Sequence, residues 1–234
     1  MFFTNLKLAI RSLRKNQLYT LINLFGLTIG VAACLLIFRM VNFENSFNKD
    51  FANYDRSYRV VSKQFRLGDD GRSVCTPIPA IKMMESNIAQ FEAVAKVHEL
   101  WATITIPDPR GGAPLKKFAM EEGTTAFFTT PAFAKIFDWN WLAGDPATAL
   151  SQPGEIVLTR AMAEKCFDRW EVAMGQIVLI DNNVPVTVKG IIDDLPPNVD
   201  FNFPYLVSYE TVEANNELFF FYESWGSCSS NDQV

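Results

Sequence analysis

The longest hydrophobic stretch of the chain lies near its N-terminus, between Lys15 and Arg39. These 23 residues carry no charge. As a helix rising about 1.5 Å per residue they would span roughly 34 Å, which is enough to cross a hydrocarbon core about 30 Å thick. Tyr19 lies near one end, where interfacial aromatic residues are common. The pattern therefore predicts a transmembrane helix over residues 17–41.

Two other interpretations of this stretch need to be weighed. A secretory signal has a shorter apolar region, about 7–15 residues, followed by a cleavage site flanked by small residues. The segment Val31-Ala-Ala-Cys34 resembles the lipobox of a lipoprotein signal. However, Leu35-Leu-Ile-Phe38 continues the apolar run where a lipidated cysteine would begin a polar tether. The sequence favours a helix that is retained in the membrane.

The first 16 residues have the pattern of a basic amphipathic helix. Apolar residues recur there at helical spacing, and basic residues occupy another face. Such a helix lies along the inner membrane surface, where its basic face could contact lipid headgroups or dock onto a cytoplasmic partner. The apolar residues are Phe3, Leu6, Ile10 and Leu13, and the basic ones are Lys7, Arg11 and Arg14.

Small residues share one face of the predicted transmembrane helix. Gly26 and Gly30 form a Gly-x-x-x-Gly pair, with Ala33 one turn later and Asn23 one turn earlier. Small side chains let a second helix approach closely, and an asparagine can donate a hydrogen bond between helices. Glycine is also common in membrane helices that make no such contact. We predict that Asn23, Gly26, Gly30 and Ala33 form a helix-packing face.

After residue 41 the chain alternates between short strand and helix patterns. The patterns do not follow the regular strand–helix order of a parallel α/β protein, so the predicted fold class is α+β. The predicted strands cover residues 58–65, 93–106, 115–121, 155–158, 176–180 and 184–192. The predicted helices cover residues 76–89 and 131–137 and a segment that Thr159 caps and that ends near Phe167.

Charge divides the chain at the same point. Residues 1–41 contain five basic and no acidic residues, whereas the remaining 193 residues contain 16 basic and 26 acidic ones. Basic residues on the N-terminal side of a membrane helix favour a cytoplasmic N-terminus. We therefore expect the main domain to lie on the opposite side of the membrane. The acidic balance also argues against a nucleic-acid partner, which would require a basic face.

The residues that usually carry catalysis or bind metals are scarce. His98 is the only histidine, and no nucleophile elbow accompanies it. The four cysteines are widely separated, and no P-loop is present. We expect no catalytic, cofactor or metal site, adjacent acids that end solvated turns, and free buried thiols outside the membrane. The acidic pairs are Glu121-Glu122 and Asp193-Asp194, and the cysteines are Cys34, Cys75, Cys166 and Cys228.

Several segments, in this order, resemble the N-terminal part of bacterial ABC-transporter permeases of the MacB/FtsX type. Each match is loose, but together they extend over nearly the whole chain. The segments are Asn5–Asn16, Leu21–Gly30, Phe47–Val61, Pro131–Phe137, Leu142–Pro146, Ile156–Thr159, Met174–Gln176 and Val188–Pro197.

The resemblance implies a transmembrane helix followed by a two-lobed MacB-like periplasmic domain. We place a cytoplasmic helix at 1–16, the first part of a porter lobe at 42–147, an inserted distal lobe at 148–195 and a return to the porter lobe at 196–234. The family continues with further membrane helices, so the chain is expected to be the first part of a longer permease.

The resemblance also implies a function without enzymatic activity. A separate cytoplasmic ABC ATPase would bind the ATP, and the permease would pair as a homodimer or heterodimer in the bacterial inner membrane. Its periplasmic domain would couple ATP hydrolysis to conformational change, for export or for mechanotransmission. The alternative is a membrane-anchored sensor with an extracytoplasmic signalling domain. Nothing in the residues selects a cargo.

Overall fold

The computed structural model describes residues 4, 11, 14–49, 51–63, 72–73, 76, 78–87, 91–120 and 123–214. They fall into two compact units, Met1–Phe47 and Asn48–Val234. Within the described residues, one helix is long and apolar enough to cross a membrane.

That helix, α1, covers Gln17–Glu44, three residues longer than predicted at its C-terminal end. Its side chains are almost all exposed, as expected of a surface that meets lipid rather than a protein core. The hydroxyls of Thr20 and Thr28 donate to the carbonyls of Asn16 and Leu24, at 3.0 and 2.7 Å. These bonds satisfy the polar groups within the helix itself, which a hydrocarbon surrounding requires.

The second unit is mixed α+β, as the sequence predicted. Its helices are α2 (Ile78–Asn87), α3 (Pro131–Phe137), α4 (Arg160–Phe167) and α5 (Glu210–Ala214). Its strands are β1 (Ser62–Lys63), β2 (Arg72–Ser73), β3 (Val97–Leu100), β4 (Ile104–Ile106), β5 (Lys116–Phe118), β6 (Ala126–Thr129), β7 (Trp141–Gly144), β8 (Glu155–Thr159), β9 (Ile177–Ile180), β10 (Val184–Ile192) and β11 (Tyr205–Ser208).

Nine of these strands form one sheet in the order β3-β6-β11-β8-β10-β9-β4-β5, with β7 paired to β10. β3 and β4 are six positions apart in that order, yet only residues 101–103 connect them. Since neighbouring strands lie about 4.8 Å apart, a flat sheet would separate them by roughly 29 Å, about twice what this connection can span. The sheet must therefore curl strongly. The Tyr205 hydroxyl on β11 donates to the Ala102 carbonyl at 3.0 Å and fixes the crossing.

The central strands are buried on both faces, so the sheet separates two cores. On β8, Ile156 and Leu158 belong to the first core and Val157 to the second. α4 packs against the first core through Met162, while the second core, beside α3, is rich in aromatic residues. Burial on both faces removes the alternation of polar and apolar residues. Such strands give a weaker sequence signal: β8 was predicted, whereas β6 and β11 were not.

Several predicted elements agree with the structure. The helix at 131–137 and the hairpin of β9 and β10 have the predicted bounds to within one residue. Thr159 caps α4, and its hydroxyl accepts a hydrogen bond from the Met162 amide at 3.3 Å. The predicted helix at 76–89 corresponds to α2.

Three predicted strands were wrong in extent. The strand predicted at 115–121 is limited to β5, and residues 119–120 are not in a strand. The strand predicted at 58–65 is limited to β1 within the described residues, because residues 58–61 are not in a strand. The strand predicted at 93–106 is divided into β3 and β4, because residues 101–103 carry the chain across the curled sheet.

The predicted lobes are not distinguished by separate sheets. The nine-stranded sheet contains strands from 42–147, from 148–195 and from the described part of 196–234. The lobe boundaries therefore stay a prediction.

Candidate functional site: the segment after the apolar helix

The first residues of the second unit, which follow α1 and its C-terminal turn, are held by contacts with other parts of that unit. We call residues 48–49 and 51–59 the connecting segment. It contains no long regular element, apart from a short 3-10 turn at Tyr54–Arg56. Its position is therefore set by specific side-chain contacts, which occur at three places.

Asn48 provides the first contact. Its amide and its side-chain Nδ2 donate to the Asn198 carbonyl and to Asp200 Oδ2, at 3.0 and 2.7 Å. Its Oδ1 accepts from the Asp200 amide at 3.1 Å. The backbone of Asn48 has φ of 59°, a left-handed conformation that asparagine tolerates better than most residues. One asparagine thus forms three hydrogen bonds to a loop 150 or more residues away.

Asn53 provides the second contact, at the end of α3. Its Nδ2 lies 3.2 Å from both the Lys135 and Ile136 carbonyls. The last carbonyls of a helix have no partner within the helix, so a side-chain amide there satisfies groups that would otherwise need water. Asn53 Oδ1 also accepts from Arg56 at 2.9 Å, which holds the amide in this orientation.

The third contact is aromatic. Phe51 meets Phe137 edge to face, with ring centroids 5.0 Å apart. The Arg59 guanidinium lies 5.3 Å from the centre of the Phe201 ring. Both rings belong to a cluster in which edge-to-face contacts predominate, a geometry that stabilises beyond buried area alone. We call this group the aromatic cluster: Phe51, Phe127, Phe133, Phe137, Trp139, Phe201 and Phe203.

An exposed ion group lies beside the connecting segment. Glu92 contacts Arg56 at 3.2 Å and Lys135 at 3.5 Å. Side chains this exposed contribute little stability, typically below about 1 kcal/mol. The attachment therefore depends mainly on the two asparagines and the aromatic cluster.

The loop that Asn48 holds leads directly into the centre of the sheet. Residues 198–200 precede Phe203 of the aromatic cluster and then β11, which pairs with both β6 and β8. Asn48, the first residue of the second unit, is thus connected through the loop at 198–200 to the central strand β11. Neither Asn48 nor Asp200 was singled out from the sequence, because no local pattern links positions 152 residues apart.

The predicted helix-packing face is present on α1 and is unoccupied by the described chain. At 100° per residue, Asn23, Gly26, Gly30 and Ala33 fall within an arc of about 80°. All four are exposed, and a Cβ added to either glycine would meet nothing within 4 Å. The side-chain amide of Asn23 forms no hydrogen bond within the described part of the chain. Their role in packing stays a prediction.

The basic residues before α1 are described only in part. Arg11 and Arg14 are helical and exposed, and Lys7 lies outside the described residues. Their predicted docking role is untested by the structure.

The residues considered for catalysis occupy structural positions. His98 lies on β3, and burial lowers its pKa. Asp193 binds Arg160 at 3.2 Å, and Asp194 accepts from the Ala161 amide at 2.8 Å, at the start of α4. These acids thus orient α4, a more specific role than the solvated turn end that we expected. Glu121 and Glu122 lie outside the described residues.

Cys166 is a free, buried thiol on α4, and burial raises its pKa to about 12. Cys34 is free and exposed on α1, while Cys75 and Cys228 lie outside the described residues. Among the described residues, no group of His, Cys, Asp or Glu side chains could hold a metal ion.

Comparison with known proteins gives one family match and several similar proteins. The chain matches the model of the MacB-like periplasmic core domain over residues 20–224. It is 27% identical over 195 residues to the macrolide export ATP-binding/permease protein MacB of Rhodospirillum rubrum. That alignment covers 80% of this chain and 28% of the relative, so the chain spans little more than a quarter of the length of the curated protein that it matches.

Two solved structures are similar to parts of the chain. The periplasmic region of MacB from Actinobacillus actinomycetemcomitans has a TM-score of 0.46 at 13% identity, over 65% of this chain and 64% of that one. The extracellular domain of the noncanonic ABC-type transporter YknZ from Gram-positive bacteria has a TM-score of 0.43 at 14% identity, over 61% and 67%.

Proposed function

Since the chain belongs to the family of the MacB-like periplasmic core domain, we propose that it acts as the permease part of a bacterial ABC transporter. In this proposal α1 crosses the inner membrane with a cytoplasmic N-terminus. The second unit lies in the periplasm and changes conformation when a cytoplasmic ATPase subunit binds and hydrolyses ATP. The chain itself performs no chemistry.

One observation carries the coupling part of this proposal. The second unit begins at Asn48, which forms three hydrogen bonds to the loop that leads into β11. A displacement of Asn48 would therefore act on a central strand. A flexible tether without such contacts would absorb the same displacement before it reached the sheet.

We infer the partners of the chain from two faces of the first unit. The face of Asn23, Gly26, Gly30 and Ala33 would pack against other membrane helices of the transporter, including those of a second permease subunit. The basic face of Lys7, Arg11 and Arg14 would contact the ATPase subunit and the lipid headgroups. ATP would be bound by that subunit, and no cofactor is proposed for this chain.

The permease assignment is tested by isolating the protein from its native membranes in mild detergent. We expect an ATP-binding subunit to co-purify with the wild type. The Arg11→Gln/Arg14→Gln variant should lose most of it, while Arg11→Lys/Arg14→Lys, which keeps both charges, should retain it. Lys7 and Lys15 remain in both variants, so the positive charge that orients the helix is preserved.

A wild-type protein that co-purifies with no ATP-binding subunit would contradict the permease function. A signalling partner in its place would favour the anchored sensor. If the Gln variant keeps the ATP-binding subunit as well as the Lys variant does, the permease stands and the docking role of Arg11 and Arg14 is wrong.

Coupling is tested by hydrogen exchange with and without a non-hydrolysable ATP analogue. In the wild-type complex, nucleotide should change exchange in residues 198–208. Asn48→Gly removes both side-chain hydrogen bonds and keeps the backbone conformation, so the nucleotide-dependent change should fall by half or more. Asn183→Gly, an exposed asparagine in the β9–β10 turn, is the matched control. An undiminished change in Asn48→Gly would refute the role of this contact.

A further inference from the structure

The side chain of Trp101 is exposed on the surface of the second unit. Of the four tryptophans that the structure describes, it is the only exposed one, with 68% of its surface accessible. It directly follows β3, at the start of the connection to β4. An indole in water forgoes the burial of a large apolar area, and tryptophan is enriched at the centres of protein interfaces. The packing of the second unit therefore gives no reason for a tryptophan at this position.

A carboxylate lies at the edge of this indole. Trp101 Nε1 donates to Glu99 Oε2 at 3.4 Å, so the two side chains lie on the same side of the chain. Val97 projects to that side as well, because side chains alternate along a strand, and it is 37% exposed. We call the surface formed by Val97, Glu99 and Trp101 the β3 face.

A second carboxylate lies beside the connection to β4. Asp181 Oδ1 accepts from the Thr103 amide at 2.8 Å. Burial raises the pKa of Tyr205, whose hydroxyl donates to the Ala102 carbonyl, and the charge of Asp181 raises it further. Within the described part of the chain, no basic side chain forms an ion pair with Glu99 or Asp181. The exposed indole thus lies among carboxylates that have no cationic partner there.

We propose that the β3 face binds an exposed arginine of a partner protein, whose guanidinium stacks on the Trp101 indole and donates to Glu99. Tryptophan is the aromatic residue that attracts cations best, and arginine takes this position more often than lysine. Because Glu99 lies at the indole edge, a planar guanidinium on the ring can donate to the carboxylate at the same time. Val97 would contact the aliphatic stem of the arginine.

The charge also decides between kinds of partner. Glu99 and Asp181 would repel an anionic lipid surface, whereas they attract a basic protein surface. The β3 face does not depend on the proposed permease function, because it is defined by contacts within the second unit alone.

The first test uses the peptide acetyl-Ser-Arg-Ser-amide as the probe. Its matched control contains citrulline, which has the shape of arginine without the charge. The full chain, in nanodiscs of zwitterionic lipid, is labelled with 5-fluorotryptophan, and Trp101→Phe assigns the ¹⁹F resonance of Trp101. We expect the arginine peptide to shift this resonance saturably, with a Kd on the order of 1 mM, since a cation–π contact and an exposed ion pair are each weak. Trp139, which is buried, should not respond.

Variants separate the local charge from the overall charge of the domain. Glu99→Gln keeps the shape of the side chain and should weaken the arginine peptide about five- to tenfold, to the level of the citrulline peptide. Asp181→Asn, which keeps an acceptor for the Thr103 amide, should weaken it only about twofold, because screening reduces the effect of a more distant charge. Glu213→Gln removes an exposed charge from α5 and should change neither peptide.

A photo-crosslink tests the partner in native membranes. With Val97→p-benzoylphenylalanine, ultraviolet light should join the β3 face to another protein. After digestion with Glu-C, the crosslinked peptide of that protein should contain an arginine. The product should be lost when Glu99→Gln is added, and it should remain when Glu213→Gln is added.

Four results would overturn the proposal. The first is the absence of a saturable shift at Trp101, and the second is equal binding of the arginine and citrulline peptides. The third is an equal loss in Glu213→Gln and Glu99→Gln, which would indicate general attraction to an acidic domain. The fourth is a crosslink only to lipid, only to a second copy of the chain, or to nothing. None of these measurements involves an ATPase subunit, so their failure leaves the permease function unaffected.

Discussion

At Asn48 a left-handed backbone coincides with a side-chain amide that both donates and accepts a hydrogen bond. We expect Asn48→Gly to destabilise the second unit by roughly 1–2 kcal/mol, because two hydrogen bonds are lost while the conformation is kept. Asn48→Asp should cost more at neutral pH, since it places a second carboxylate against that of Asp200. Chemical unfolding of the full chain in nanodiscs, followed by tryptophan fluorescence, measures both. If Asn48→Asp were as stable as the wild type, the contact between Asn48 and Asp200 would contribute nothing to stability.

Cys166 gives a pH prediction. Its pKa is raised to about 12 by burial, ahead of opposing effects of Lys116 and Lys165. A thiol with a raised folded-state pKa contributes full stability below the unfolded-state value near 9, and this contribution is lost as the pH rises from about 9 toward 12. Cys166→Ala should therefore show a smaller loss of stability than the wild type between pH 8.5 and 10.5. Denaturant unfolding at several pH values measures the difference.

The same burial makes the Cys166 thiol inert, because the thiolate is the reactive form. At pH 8 the folded chain should leave Cys166 unmodified by maleimide, and the denatured chain should react. Peptide mass spectrometry identifies the modified cysteine. Fast modification of Cys166 in the folded chain would contradict its burial on α4.

At the scale of single residues, only contacts between neighbours in the sequence could be predicted. Thr159 was assigned as the cap of α4 because a threonine before a helical pattern is a short-range signal, and its hydroxyl accepts the expected bond. Asn48 and Asp200 each lie beside a phenylalanine, Phe47 and Phe201, in stretches of mixed character. Only the folded chain brings them together, so no local rule could have paired them.

β7 and β10 lie so close together at Gly144 and Gly190 that neither position has room for a side chain. A Cβ at Gly144 would lie 2.4 Å from the Lys189 carbonyl oxygen, and one at Gly190 would lie 2.4 Å from the Trp141 ring. Gly144 also has φ of 91°. Gly175 has φ of 76°, but a Cβ added there would meet nothing within 4 Å. A Gly175 variant therefore measures the effect of backbone strain without a steric clash.

We expect Gly144→Ala to be more destabilising than Gly175→Ala, which should cost about 1 kcal/mol from strain alone. The extra loss should exceed about 1 kcal/mol, because the clash is with backbone rather than with a side chain that can move. Thermal unfolding of the two variants tests this. Equal losses would mean that β7 can withdraw from β10 at little cost.

Sequence patterns predicted elements with local end signals better than elements without them. α3, α4 and the β9–β10 hairpin have caps or turn residues that act within a few positions. β6 and β11 are buried on both faces, so they lack the alternation that marks a half-exposed strand. The broken strand at 101–103 reflects the curl of the whole sheet, which local propensity does not encode.

At the scale of the molecule, charge separates the two units. The positive-inside rule predicts a cytoplasmic N-terminus and a second unit on the opposite side of the membrane. Arg110 lies in the exposed loop between β4 and β5, and Arg11 and Arg14 precede α1. Trypsin thus has an accessible site in each unit, and each site should be reachable from one side of the membrane only.

In intact spheroplasts we expect trypsin to cleave after Arg110 and to spare Arg11 and Arg14. In inverted membrane vesicles the pattern should reverse, because the basic N-terminal segment then faces the protease while the second unit is enclosed. Peptide mass spectrometry reads both sites, and detergent-permeabilised membranes show that each can be cut. Cleavage at Arg11 in intact spheroplasts would place the N-terminus outside, and an ATPase subunit in the cytoplasm could then not dock onto these residues.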